Sequence, residues 1–149
     1  MVSQSVSQKL NEVRGLFGVI EQFSHAIYNT LQQEEEPGEK LLELLQQRTI
    51  IIEEIDTVYA VLDQGLKELI DHPELATREE IEEIENQREE TIELIKEIRE
   101  LDEKSLSRMH EQKDNIALKL QQSRISSKAS KAYLQEEIYT EGWFIDQKK

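Results

Sequence analysis

Apolar residues recur along this chain in steps of three and four, the spacing that puts side chains on one face of an α-helix. Val6, Leu10, Val13, Phe17, Ile20, Phe23, Ile27 and Leu31 form a first stripe, predicting a helix over about 3–33. A second stripe, Leu41, Leu44, Leu45, Ile51, Ile52, Ile55, Tyr59, Leu62, Leu66 and Leu69, predicts a helix over 39–71. A third helix is expected over 77–137, with Ile81, Ile84, Thr91, Leu94, Ile95, Ile98 and Leu101 inward in its first half. The breaks fall where helices end: Pro37-Gly38 is a turn signal, and Pro73 precedes a capping-box pair, Thr77 and Glu80.

Local exceptions to these stripes raise questions. Gly15 and Gly18 flank Leu16-Phe17, and each costs a helix interior about 1 kcal/mol. Two so close mark a tight helix crossing or a bendable point, and the crossing is the expectation. Arg48 interrupts the second stripe. Its stem is expected to pack while its head snorkels towards a carboxylate. A third helix unbroken over 77–137 would be about 90 Å long, against roughly 50 Å for each of the other two. Its far half must overhang, bend back or unfold. The expected architecture is all-α: a single domain, 1–149, of three long antiparallel helices, the third overhanging or bending, with an aromatic tail over 138–149.

Composition agrees with long helices. Charged residues make up 34% of the chain, aromatics 5%, and there are five glycines and two prolines. The formal charge of −14 opposes binding to nucleic acid or to anionic membranes. The distribution is uneven. Residues 78–103 hold eleven Glu and one Asp against four basic residues, whereas 113–134 hold five basic residues and one acidic. That basic run is read as an offset to the acidic half rather than an RNA site. The longest wholly apolar run is Ile50-Ile51-Ile52, so no membrane span is expected. Absence of cysteine suits a reducing compartment. MVSQSVSQKL at the start lacks a signal peptide's basic and apolar regions, so a cytoplasmic location is expected.

Catalytic patterns are missing. A di-iron bundle needs Glu-x-x-His pairs, but Gln22, Leu69 and Ser107 stand three places before His25, His72 and His110. His110-Glu111 is followed by Asp114 where a zinc protease would carry its second histidine. There is no Gly-rich phosphate loop. The chain is expected to be a binding protein, not an enzyme, with no metal and no cofactor. Of its eight aromatic residues, Tyr133, Tyr139, Trp143 and Phe144 lie in the last seventeen positions. Tyr and Trp are side chains that carry binding hot spots.

Three stretches carry a resemblance. LLELLQQRTIIIEEI (41–55) is a Leu-rich helix with an arginine ahead of an aliphatic run. IKEIRELDEKSLSRM (95–109) holds an Ile-x-x-Leu-Asp stretch. KASKAYLQEEIYTEGWFIDQKK (128–149) ends in Gly-aromatic-Phe-x-Asp-x-Lys-Lys. Together they resemble the flagellar type III export chaperones, the FliT/FlgN group, over positions 40–149. The resemblance implies antiparallel helices whose groove receives an amphipathic helical segment of a flagellar subunit, keeping it monomeric for secretion. The implied partner is the filament cap protein or a hook-associated protein, with an export-apparatus component as a further contact; the tail inclines towards the cap-protein branch. The chain itself would be a monomer or homodimer. Candidate contact residues are Met109, Ile116, Leu120, Ile125, Tyr133, Ile138, Tyr139, Trp143 and Phe144. Arg48 and Asp102 are candidates for orienting the second and third helices. The rival reading is a structural coiled coil whose partner is a second copy of itself.

Overall fold

The computed structural model describes residues 2–33, 38–112, 128–130 and 132–133. Three long helices account for nearly all of them: α1, Val2–Gln33; α2, Gly38–Asp71; and α3, Arg78–Gln112. A short 3₁₀ turn, Pro73–Leu75, joins α2 to α3. Among the described residues no helix is long and apolar enough to cross a membrane. The fold is an all-α bundle. The turn expected at Pro37 lies outside the described residues.

The helices begin where local chemistry starts them. Thr77 and Glu80 make both bonds of a capping box: the Thr77 N–H donates to the Glu80 carboxylate at 2.9 Å, and the Glu80 N–H donates to the Thr77 hydroxyl at 3.1 Å. Two amides that α3 cannot satisfy internally are thereby paired. Ser3 of α1 donates to the same carboxylate, and together these bonds hold the Glu80 carboxyl below its ordinary range.

Burial sharpens the three stripes into heptads. On α1 the buried face is Ser3, Val6, Leu10, Val13, Phe17, Ile20, Ser24, Ile27 and Leu31. On α3 it is Ile81, Ile84, Arg88, Thr91, Ile95, Ile98, Asp102, Ser105 and Met109. On α2 it is Leu41, Leu45, Arg48, Ile55, Tyr59, Leu62, Leu66 and Leu69, with half-buried Ile52 in the remaining place. Each of these series steps by three and four, with Thr30 on α1 and Gln87 and Ile92 on α3 buried beside it. This 3.5-residue repeat is the pattern of knobs-into-holes packing. The helices therefore stack in layers, with Leu31, Leu41 and Met109 meeting at one end and Ser3 beside the start of α3 at the other.

The heptads also show where the simpler stripes mislead. Phe23, Leu94 and Leu101 lie one place off the repeat and are only half-buried, while Ser24, on the repeat, is buried. The expected crossing at Gly15 and Gly18 is not where α1 comes closest to a neighbour. A Cβ on either would meet nothing within 4 Å among the described residues. The close approach is at Gly65 of α2, where an added Cβ would lie 2.6 Å from Cγ2 of Val6.

α1 is the shared wall. It packs along α2 and along α3, whereas α2 and α3 scarcely approach each other backbone to backbone. α3 runs parallel to α1, since Ser7 pairs with Gln87 and Ser24 with Asp102. α2 runs opposite to both. This leaves a fourth corner between α2 and α3.

The glycines separate cleanly by substitution. Gly15→Ala should raise the unfolding free energy by about 0.5–1 kcal/mol, the ordinary helix-propensity gain. Gly65→Ala should lower it, because overpacking against the stiff Val6 side chain costs about 1–3 kcal/mol and exceeds that gain. Urea unfolding of the two variants beside the parent measures both signs.

Candidate functional site

The seventh layer of the bundle differs from its neighbours. Each helix has a polar residue at the same level of the heptad stack: Ser24 on α1, Arg48 on α2 and Asp102 on α3. The Ser24 hydroxyl donates to Oδ1 of Asp102 at 3.0 Å, and Nη2 of Arg48 donates to Oδ2. The ion pair spans the diagonal from α2 to α3, with Arg48 fully buried and Asp102 nearly so. Arg48 thus does not snorkel to a wet rim; its head meets a carboxylate inside the core. Desolvating such a pair is expensive, and its main consequence appears when one partner is lost, leaving an uncompensated buried charge.

A polar seam continues along α1 and α3. Ser7 donates to Gln87 at 3.1 Å, and the Gln87 amide donates to Asn11 at 3.0 Å. Arg14 pairs with Glu90. Further along, Glu21 meets Glu97. Partial burial, the hydrogen bond to Glu97 and the like charge of that neighbour push the Glu21 carboxyl up, with His25 opposing. α1 meets α2 differently, through apolar heptad positions and the close contact of Val6 with Gly65.

The fourth corner is filled from far along the chain. Lys128–Ser130, Ala132 and Tyr133 are helical and lie against it. Tyr133 is 1% exposed, and its ring meets Tyr59 edge-on at 5.4 Å and Phe17 at 6.5 Å. The Arg88 guanidinium lies 5.4 Å from the same ring. Edge-to-face pairs contribute about 0.5–1.5 kcal/mol each beyond their buried area, and a desolvated cation over a ring about 2 kcal/mol. Ala129 is completely buried, and its N–H donates to the Asp56 carboxylate at 3.2 Å.

These contacts decide the path of the chain. Tyr133 lies 45 residues after Arg88. An unbroken helix would separate the two by roughly 67 Å. Their contact means that the chain has bent back, which decides between the overhanging and the bending course expected for the far half of the third helical stretch. Asp56 with Ala129, then Tyr59 with Tyr133, set the returning segment parallel to α2 and antiparallel to α3.

The candidate contact residues are distributed unevenly. Met109 is fully buried with Ile27, Leu31, Leu41 and Leu45, because it occupies the last heptad position of α3. Tyr133 is also inside the chain's own core, as the plug of the fourth corner. Neither side chain is presented to solvent. Ile116, Leu120, Ile125, Ile138, Tyr139, Trp143 and Phe144 lie outside the described residues. Asp56, Tyr59, Phe17 and Arg88 were not singled out from sequence as site residues. Their signal was the break in apolar character at Arg88 and the aromatic at Tyr59 within the heptad faces.

The arrangement offers a corner that holds one helical segment. Among the described residues no three His, Cys, Asp or Glu side chains converge to hold a metal. An acidic groove on α3, lined by Glu83, Asn86, Glu89, Glu90, Glu93 and Glu97 around Leu94, is carboxylate surface. Comparison with protein families, curated proteins and solved structures returns no match.

Asp102→Asn keeps the side chain's shape and removes its charge. It should cost about 3–5 kcal/mol of unfolding free energy, since Arg48 remains buried without a counter-charge. Adding Arg48→Met to Asp102→Asn should recover much of that loss, and denaturant midpoints of the single and double variants measure it.

Proposed function

We propose that this chain is a cytoplasmic export chaperone of the flagellar type III kind. It binds an amphipathic helical segment of a flagellar subunit and prevents that segment from self-associating before secretion. The observation that carries the reading is the fourth corner: α2 and α3 stand apart on the flanks of α1, and a returning helical segment completes the bundle there. A corner that accepts one helix by side-chain packing suits the helix-in-groove mode of recognition. The resemblance over 40–149 supplies the class of partner, the filament cap protein or a hook-associated protein.

In this reading the bundle is a fixed cradle. α1 holds α2 and α3 at a set separation, the polar layer fixes their alignment, and the client's apolar stripe lies in the corner. The chain's own segment at 128–133 and a client helix compete for that place. The net charge of −14 keeps a protein with such a surface dispersed. Export requires release, so an affinity on the order of micromolar, about −8 kcal/mol, fits the task. A component of the export apparatus would be a further contact. The reading assigns no catalysis and no cofactor.

Isothermal titration of the full chain with the purified C-terminal segment of a flagellar cap protein, and with that of a hook-associated protein, tests the proposal. One of the two should bind at about micromolar strength. Tyr133→Ala should bind it several-fold more tightly, as the competing segment is weakened. Absence of binding to either segment at a hundredfold higher concentration, alongside a stable dimer whose mass is independent of concentration in light scattering, would favour the self-associating coiled coil instead.

A further inference from the structure

The returning segment is itself a template for what the corner accepts. It presents one large side chain, Tyr133, among small ones. Ala129 and Ser130 are buried at 0% and 1% exposure, and Ala132 is half-buried beside them. Small residues at the positions four, three and one before the ring let the segment's backbone approach α2 and α3 closely. Without that approach the ring would not reach between Phe17 and Tyr59, nor would the Ala129 N–H come within 3.2 Å of Asp56.

Each wall of the corner reads a different feature. Phe17 and Tyr59 offer their rings to an aromatic edge or face. Arg88, itself 5% exposed, offers a cation to the aromatic face and so disfavours an aliphatic in the same place. Asp56 accepts from a backbone N–H and is therefore indifferent to the side chain at that position.

We infer that the fourth corner selects helical segments by one spacing rule: an aromatic residue preceded by small residues at its −4, −3 and −1 positions. The inference rests on the binding reading above and adds the chemistry by which that site chooses its occupant. A leucine-rich helix of ordinary amphipathic pattern would be refused, because bulk at −4 holds the backbone away from Asp56 and an aliphatic leaves Arg88 buried over no ring.

The test uses the full chain carrying Tyr133→Ala, whose corner lacks its plug, and a fluorescent synthetic peptide of residues 125–137, ISSKASKAYLQEE. Should that variant fail to give the parent's helical circular dichroism, Ala129→Leu in the full chain serves as acceptor, since it ejects the same segment by bulk. Fluorescence anisotropy should show the peptide binding the acceptor about tenfold more tightly than the parent chain. Within the peptide, Tyr133→Phe should be tolerated within about threefold, while Tyr133→Ala and Ala129→Leu should each lose about tenfold or more. Asp56→Ala in the acceptor should weaken every peptide by a similar factor, because it reads the backbone. Equal binding of all peptides, or no binding of the parent peptide to either acceptor, overturns the rule. The two readings fail separately. An acceptor that obeys the rule with these peptides but ignores flagellar segments contradicts the export role alone. A flagellar segment that binds without regard to the spacing contradicts the rule alone.

Discussion

One layer that is polar on all three helices governs how this bundle is put together. Ser24, Arg48 and Asp102 occupy the same level of three heptad stacks, and both carboxylate oxygens of Asp102 are engaged there. Heptad faces made of Leu, Ile and Val pack almost equally well after a slip of seven residues, so hydrophobic contact alone leaves the register loosely specified. The charged layer removes that freedom. Moving α2 by one heptad would bring Arg48 opposite Phe17 and Ile95, or opposite Leu31 and Met109, leaving a buried guanidinium without a carboxylate. That penalty amounts to several kcal/mol, comparable with the net stability of a small domain. The correct alignment places Tyr59 one layer from Phe17 and one layer from Arg88, where the fourth corner is built.

The division of labour among the helices follows from the same alignment. α1 meets α2 through apolar side chains and one glycine-enabled close approach, and meets α3 through a ladder of hydrogen bonds. Directional bonds such as Ser7–Gln87–Asn11 fix α3 axially, while the Val6–Gly65 contact sets how near α2 can come. With both flanking helices packed along α1 and bridged to each other by the Arg48–Asp102 pair, the corner opposite α1 takes one more helical segment. The returning segment completes the core there with Tyr133. Around its ring the corner gathers two aromatic side chains, Phe17 and Tyr59, and one cation, Arg88.

Much of this was legible in the sequence. Steps of three and four gave the first two helices nearly to their ends and the third nearly to its start. Thr77 and Glu80 announced the capping box, and Arg48 stood out within an aliphatic stripe. What stayed hidden has physical reasons. Ser24 is absent from the apolar stripe because only its partner on α3, 78 residues away, explains its burial. Phe23 and Leu101 joined the predicted stripes on hydrophobicity, though the 3.5-residue repeat excludes them. Gly15 and Gly18 attracted notice as a pair, whereas the functional glycine, Gly65, stands alone in its helix. Helix lengths already required the far half of the third stretch to overhang, bend back or unfold, but they do not report the long-range contact of Tyr133 that selects bending back. Met109 and Tyr133 were legible as apolar and aromatic, but periodicity does not say whether an apolar face meets a partner or the chain's own core.

The claim that polarity at one layer sets the register can be tested by removing the layer whole. A chain carrying Ser24→Ala, Arg48→Leu and Asp102→Leu together keeps the volume of the layer apolar and leaves no charge unpaired. Its unfolding midpoint should equal or exceed that of the parent, because such a replacement is neutral or stabilising by about 1–4 kcal/mol. Its ¹H–¹⁵N correlation spectrum should nevertheless show doubled or broadened resonances for the helices, the mark of competing registers. A single sharp set of resonances matching the parent's would contradict the account and leave the fold specified by its apolar heptads alone.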